Sequence, residues 1–367
     1  MTTEGVISFA RGAPSADILP VDHVRGASER ALADDWERAL SYGKGRGHLG
    51  LCEWIAEAHG IEPEQVMVTN GSMEAAAFLF AHLVGASDPV VVEQPTYDRT
   101  LLLLNRGGAS VTGVPLEADG IDVGALEEAA KRESPRLVHV IPNFHNPAGC
   151  TLSSDKRQRV VELAAEHGFT LFEDDPYREV FFEGEPSPTM HSIDRADRVI
   201  YASSFSKTVS PGIRVGYLAG PVEAIAGLAK RANETYISPN MLAGSIVWEL
   251  CRSGGLAENT EAVKRALRER RDALVGALGE RIPEADFVVP QGGYFLWLTL
   301  DDDLDTTALA GSAAEEGVAF VPGADFMIEG GRSSLRLSFA GVPPDQVPEG
   351  VARLARALER ARAASPA

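Results

Sequence analysis

The segment SSFSKTVSPGIRVGY, residues 203–217, decides how the rest of the chain is read. It follows the β-branched run VIYA and sets Lys207 among hydroxyls, with Arg214 further along. A lysine whose surroundings favour the neutral amine is a nucleophile that condenses with aldehydes. Ser204, Ser206 and Arg214 supply two hydroxyl donors and a bidentate cation, the set a phosphate dianion needs. A solvated lysine on a surface loop is the other reading of the same residues.

Four further segments share its position after a short apolar run. In VTNGSMEAAAFLF (68–80) a strand runs through Asn-Gly-Ser straight into a helix. The free N–H groups of that first turn, with Ser72, make an anion site; a plain cap by Asn70 or Ser72 is the alternative. FEDDPYREV (172–180) puts Asp174 and Asp175 at a strand end with Tyr177 close behind. A carboxylate there could pair with a protonated ring nitrogen, and strand alternation lets only one of the two point inward. IPNFHNPAGC (141–150) offers the amide of Asn146, and QPTYDRT (94–100) the ring of Tyr97; each alone is also an ordinary loop or a core aromatic.

The runs at 65–69, 89–93, 137–141, 170–173 and 199–202 are continuously apolar rather than alternating. That pattern predicts parallel strands covered on both faces. Helical patterns at 73–84, 123–131 and 154–167 lie between them, which means βαβ units. The last third changes character. A long charged helix at 256–278 precedes GGYFLWLTL (292–300), a helix around 306–316, SLRLSFA (334–340) and a terminal helix expected to fray after Leu358. The expected fold class is therefore α/β, with a smaller α+β domain. We divide it as residues 1–35, packing with the small domain; 36–280, the large domain; and 281–367, the small domain.

Composition excludes several classes. The 367 residues carry 34 Lys+Arg against 53 Asp+Glu, a net charge of −19, which argues against a nucleic-acid or anionic-membrane surface. No apolar run reaches the ~20 residues that cross a bilayer. The start, MTTEGVISFARG, shows no secretory pattern, and three scattered cysteines without a CxxC pair rule out a disulfide framework. A reducing, cytoplasmic setting is expected. The eight histidines show no metal spacing, so no metal is expected.

In this order, NGS, NPAG, DDPY, SFSK with its later Arg, and LRLSF resemble the class I/II aminotransferases, fold-type I enzymes that use pyridoxal 5′-phosphate (PLP). The resemblance runs from Ile7 to Phe339 and is strongest to the 2-aminoadipate and kynurenine aminotransferase group. It implies a large PLP-binding domain with a mostly parallel seven-stranded sheet, and a transfer of amino groups between an L-amino acid and a 2-oxo acid. Carried over by motif, Lys207 would hold PLP as a Schiff base and shuttle the proton. Asp174 would pair with the pyridine nitrogen, Asn146 and Tyr177 would bond the phenolic oxygen, and Tyr97 would stack on the ring. Gly71, Ser72, Met73, Ser204, Ser206 and Arg214 would surround the phosphate. Tyr42 resembles the tyrosine that reaches the phosphate of a neighbouring subunit, which implies a homodimer with shared sites. Arg336 would clamp the substrate carboxylate, with Gly12 and Asn146 lining the pocket.

The chain departs from the family pattern at several points. In SYGKGRGHLG the usual proline after Tyr42-Gly43 is Lys44. Arg11 stands where glycine is common, His145 and Met73 where glutamine is frequent. Arg11, Lys44 and His145 could bind an acidic substrate side chain or be solvated; we favour solvation for Lys44 and keep Arg11 as a substrate-binding candidate. The same cofactor also supports β- or γ-elimination, replacement, decarboxylation or oxidation, and some relatives are ligand-sensing domains. Two other patterns are set aside. Gly45-Arg-Gly47-His-Leu-Gly50 fits G-x-G-x-x-G but lacks the strand before it, and Ser204-x-x-Lys207 fits a serine hydrolase motif whose Lys-Thr-Gly partner is missing.

Overall fold

The computed structural model describes residues 5–300 and 304–364. Its main sheet runs, edge to edge, Val66–Thr69, Gly216–Ala219, Val199–Ser204, Thr170–Asp174, Leu137–Val140, Pro89–Gln94, Ser110–Glu117 and Gly120–Ile121. The central strands pair in parallel, while Gly216–Ala219 is antiparallel to both neighbours. This is the expected mostly parallel layer. A two-residue hairpin strand, Gly120–Ile121, brings the count to eight rather than seven.

Continuous apolarity has the cause expected of it. Val90 and Val92 pack into one apolar cluster with Ala75 and Leu79 of the helix Ser72–Leu83. Val91, between them, joins Val160 and Leu163 of the helix Ser154–His167 in another. Alternate side chains leave opposite faces, and both faces are roofed by helices. Ser110–Glu117 (SVTGVPLE) was not legible as a strand, because Gly113 and Pro115 interrupt it and only Val114 in it is buried.

Register sets the functional rim. Thr69 and Ser204 pair with Gly216 from opposite sides, so the 70–72 turn and the 204–207 loop start at the same height. Asp174 ends its strand opposite Ala202, two residues before Ser204. Ligands bind at the carboxyl ends of such sheets because loops and helix N-termini converge there.

A three-stranded antiparallel sheet, Phe295–Thr299, Ser334–Ser338 and Val321–Pro322, forms the second layer. The N-terminal strand Ile7–Ser8 pairs in parallel with Val318–Ala319. Phe9, Leu296, Leu335 and Leu354 share an apolar cluster with Leu267, Leu274 and Leu278 of the long helix Gly255–Arg281. Phe144 and Tyr177, from loops of the main sheet, are buried in the same cluster, so the two layers meet at the rim. One expectation is corrected. The terminal helix does not end near Leu358 but continues to Ala364, where Arg360–Glu316 at 2.7 Å and Arg362–Glu284 at 2.6 Å tie it down.

Candidate active site

One end of the rim cavity is built by the turn at residues 70–73. Gly71 links strand to helix at φ +93°, where a Cβ would be strained and would collide with the Arg214 guanidinium. Neither Asn70 nor Ser72 caps the helix; among the described residues no side chain does. Asn70 instead donates from Nδ2 to Glu74 Oε1 at 3.0 Å, and its Oδ1 accepts the Asn240 N–H at 2.9 Å. Ser72 and Met73 line the cavity, so the uncapped first turn and its dipole are directed at whatever anion sits there. Across from it, Ser204 Oγ donates to Ser206 Oγ at 2.9 Å. Arg214 donates to Asn70 O at 2.9 Å and to Pro211 O at 3.2 Å. Its φ of +50° is uncommon for such a side chain, and strained conformations of this kind gather at functional sites.

Lys207 lies at the centre. Its Nζ donates to Gly12 O at 3.1 Å and stands 4.8 Å from the Tyr294 ring centre and 5.2 Å from that of Tyr177. Withdrawal from water, with Arg336 and Arg214 nearby, pulls the ammonium down from 10.5 to about 8, Asp174 opposing. Asp174 is buried and lines the cavity. Its Oδ1 has no hydrogen-bond partner among the described residues, while Oδ2 stands 3.5 Å from His139 Nε2. A buried carboxylate oxygen left so is costly unless another donor meets it. Asp175 turns the other way. Its Oδ2 accepts from Asn143 Nδ2 at 2.8 Å, and Asn143 Oδ1 accepts from the buried Arg157 at 2.7 Å.

Arg336 projects from the small sheet. It donates from Nη1 to Asn146 Oδ1 and from Nη2 to Ala10 O, both at 2.8 Å. The Phe295 and Phe326 rings hold its guanidinium at 4.3 and 4.6 Å. With the Asn146 carbonyl oxygen so engaged, its N–H₂ end remains for the cavity. Burial first, with nearby Asp98 and Asp174, raises the Tyr97 phenol to about 12, and burial likewise holds Tyr177 well above its ordinary value, so both are neutral donors.

Ser72, Met73, Tyr97, Asn146, Asp174, Tyr177, Ser204, Ser206, Lys207 and Arg214 line this one cavity. Gly71, Gly12 and Arg336 adjoin it through Arg214, Lys207 and Asn146. Two expected residues stand apart: Arg11 is exposed, and Tyr42, 84% exposed, lies in a separate hollow with Ser238 and Met241. Lys44 is exposed. His145 is neither solvated nor open to a substrate; it is buried against Glu93. Sequence reasoning missed His139, Asn143, Arg157 and Tyr294. His139 did carry a signal, a polar residue inside a run buried on both faces, which demands a partner. Tyr294 carried none, since an aromatic in an apolar run is core by default.

A phosphorylated pyridine aldehyde needs an anion cradle, an acceptor for a ring N–H, donors for its phenolic oxygen and an amine. The uncapped turn with Arg214, the unpartnered Asp174 Oδ1, Asn146 with Tyr177, and Lys207 supply these in one cavity, so the residues present fit PLP. Residues 4–354 match the family Aminotransferase class I and II. A 2-aminoadipate transaminase from Thermus thermophilus is 36% identical over 360 residues, 97% of this chain and 90% of that protein. The solved alpha-aminoadipate aminotransferase from Thermus thermophilus, complexed with N-(5'-phosphopyridoxyl)-L-leucine, matches at a TM-score of 0.94 and 35% identity, over 99% of this chain and 94% of that one. A kynurenine aminotransferase from Pyrococcus horikoshii matches at 0.93 and 32%, over 98% and 92%. The chain thus belongs to the class I and II aminotransferases, PLP-dependent fold-type I enzymes that move amino groups between amino acids and 2-oxo acids.

Proposed function

We propose that Lys207 is the residue that carries this transamination. The carrying observation is a single amine, drawn down to about 8, in a cavity whose only unpartnered buried carboxylate oxygen among the described lining residues is Asp174 Oδ1. When bound, PLP supplies the electron sink that lets a Cα–H bond break. Lys207 Nζ takes that proton and returns it in the second half of the cycle. Asp174 would hold the proton of the ring nitrogen, Asn146 and Tyr177 would bond the phenolic oxygen, and Tyr97 would pack against the ring. The 71–73 turn, Ser204, Ser206 and Arg214 bind the phosphate. Arg336 takes the substrate carboxylate in bidentate fashion and so aims Cα at Lys207, while Gly12 borders the side-chain pocket. The small domain, with the N-terminal strand, would move against the large domain to exclude water.

Exposed Tyr42 and Leu40 share a hollow with Met241, and Trp36 is exposed close by in sequence; a second copy of the chain is the proposed cover, with Tyr42 reaching that copy's phosphate site. The chain's acidity and its buried free thiols Cys52, Cys150 and Cys251 support a cytoplasmic enzyme that binds neither nucleic acid nor membrane. No helix among the described residues is long and apolar enough to cross a membrane.

Borohydride reduction of the holoenzyme is expected to leave a pyridoxyl label on Lys207, read by peptide mass; a label on another lysine overturns the assignment. Supplied with 2-oxoglutarate and a donor panel beginning with 2-aminoadipate and kynurenine, the enzyme is expected to form glutamate in step with donor loss. Gly71→Ala tests the phosphate turn. Its methyl group displaces the Arg214 guanidinium, and PLP affinity is expected to drop about tenfold, the worth of one charge-assisted hydrogen bond. Titration of the cofactor-free protein with PLP reads that loss.

A further inference from the structure

Two buried side chains beneath the Asn146 turn have no part in the chemistry above. His145 and Glu93 are 0% and 1% exposed. Glu93 Oε2 accepts the Ile141 N–H at 2.8 Å and stands 3.0 Å from His145 Nε2. On the other side of the imidazole, Nδ1 accepts the Ala148 N–H at 3.2 Å. A ring nitrogen that accepts an N–H is unprotonated, so the ring proton is on Nε2 and is donated to Glu93. The His145 backbone is engaged too, its N–H donating to Cys150 O at 2.8 Å and its carbonyl accepting the Gly149 N–H at 2.7 Å. Every polar atom of His145 is thus committed to the 145–150 turn or to Glu93. The next residue is Asn146, whose Oδ1 accepts from Arg336 Nη1 at 2.8 Å.

Stability alone explains this pair poorly. Glu93 is desolvated for one imidazole and one N–H, and its Oε1 has no partner among the described residues. Apolar side chains of similar volume would usually do as well or better in such a place. What the pair does supply is a fixed direction. It ties the turn to the interior of the main sheet, at Glu93 on one strand and at Ile141, itself part of the cavity wall. We propose that Glu93 and His145 are positioning residues that aim the Asn146 amide and, through it, the Arg336 guanidinium. The proposal rests on the reading that Asn146 and Arg336 face cofactor and substrate.

Three substitutions dissect the contact. In His145→Asn, Oδ1 stands where Nδ1 stood and keeps the Ala148 N–H, but the side chain is too short for Glu93. His145→Gln extends an amide donor to Glu93. Glu93→Asp withdraws the carboxylate from the other side and remains informative should His145→Asn fail to fold. Because Arg336 grips substrate in ground and transition states alike, H145N and E93D are each expected to raise KM for the amino acid about tenfold, with kcat moving much less. Both are expected to speed cofactor loss from dialysed holoenzyme. H145Q is expected to stay within about twofold of the parent, and the double variant H145N/E93D to be no worse than either single one.

A lower melting temperature with KM and cofactor loss unmoved would make the pair merely structural and end the proposal. So would an H145Q enzyme as impaired as H145N. Asn146→Ala separates the two levels. If it leaves KM and cofactor retention at parental values, the role assigned to Asn146 fails, and the pair with it. If it alters them while H145N and E93D do not, only the pair fails.

Discussion

Lys207→Ala is expected to lose transamination by at least about 10³-fold, since the variant has neither an amine to hold the aldehyde nor a base to carry the proton. Lys207→Arg should be as inactive. A guanidinium keeps the positive charge but does not deprotonate, so a surviving activity in the arginine variant would mean that charge, not amine chemistry, is what the position provides. Folding gives an independent readout. In the cofactor-free chain the ammonium is drawn to about 8 from an ordinary 10.5, chiefly by withdrawal from water. Between those values the unfolded chain binds a proton that the folded chain does not. Stability from this group therefore rises with pH across that window and is lowest below it. Urea midpoints of the parent should climb between pH 8 and 10 relative to those of Lys207→Ala. Parallel curves would place the amine in water and remove the physical basis of its reactivity.

Much of this site was legible because each motif sits where a strand must stop. NGS, DDPY and SFSK lie at the ends of strands of four to six mostly buried residues, and a parallel sheet brings such ends to one rim without further information. Alternation made it legible that only one of two neighbouring aspartates faces the cavity, and the family motif, not alternation, singled out Asp174. Other features depend on sequence-distant partners. Asn70 looks like a cap, yet Glu74 and Asn240 claim it, and only the folded chain shows the helix start uncapped. His145 read as a substrate contact or a solvated side chain because Glu93, its partner, lies 52 residues away. Tyr42 lines a hollow apart from the rim cavity, and the role proposed for it lies with a second copy of the chain.

The DDPY turn offers the sharpest contrast between neighbours. Asp174→Ala is expected to cost at least about 10²-fold in turnover and to release the cofactor readily, because the substitution removes the acceptor poised for a ring proton. Asp175→Ala should do something different. Its carboxylate holds Asn143, which in turn meets Arg157, so truncation leaves buried donors unpaired and costs about 1–3 kcal/mol of stability. Turnover should remain within about threefold of the parent, and cofactor retention should be unchanged. The pH dependence of stability also separates the pair. Burial pushes the Asp175 carboxyl up to about 6 from 3.8, Asn143 and Arg157 opposing. Between those values the folded chain binds the extra proton, so the stability this group lends is full below 3.8 and is lost as pH rises through about 6. Asp175→Asn should lessen that slope, the remainder coming from Glu173, which burial likewise raises to about 7, and Asp174→Asn should leave it in place. Equal loss of cofactor from both alanine variants would mean that the wrong carboxylate has been assigned to the ring nitrogen.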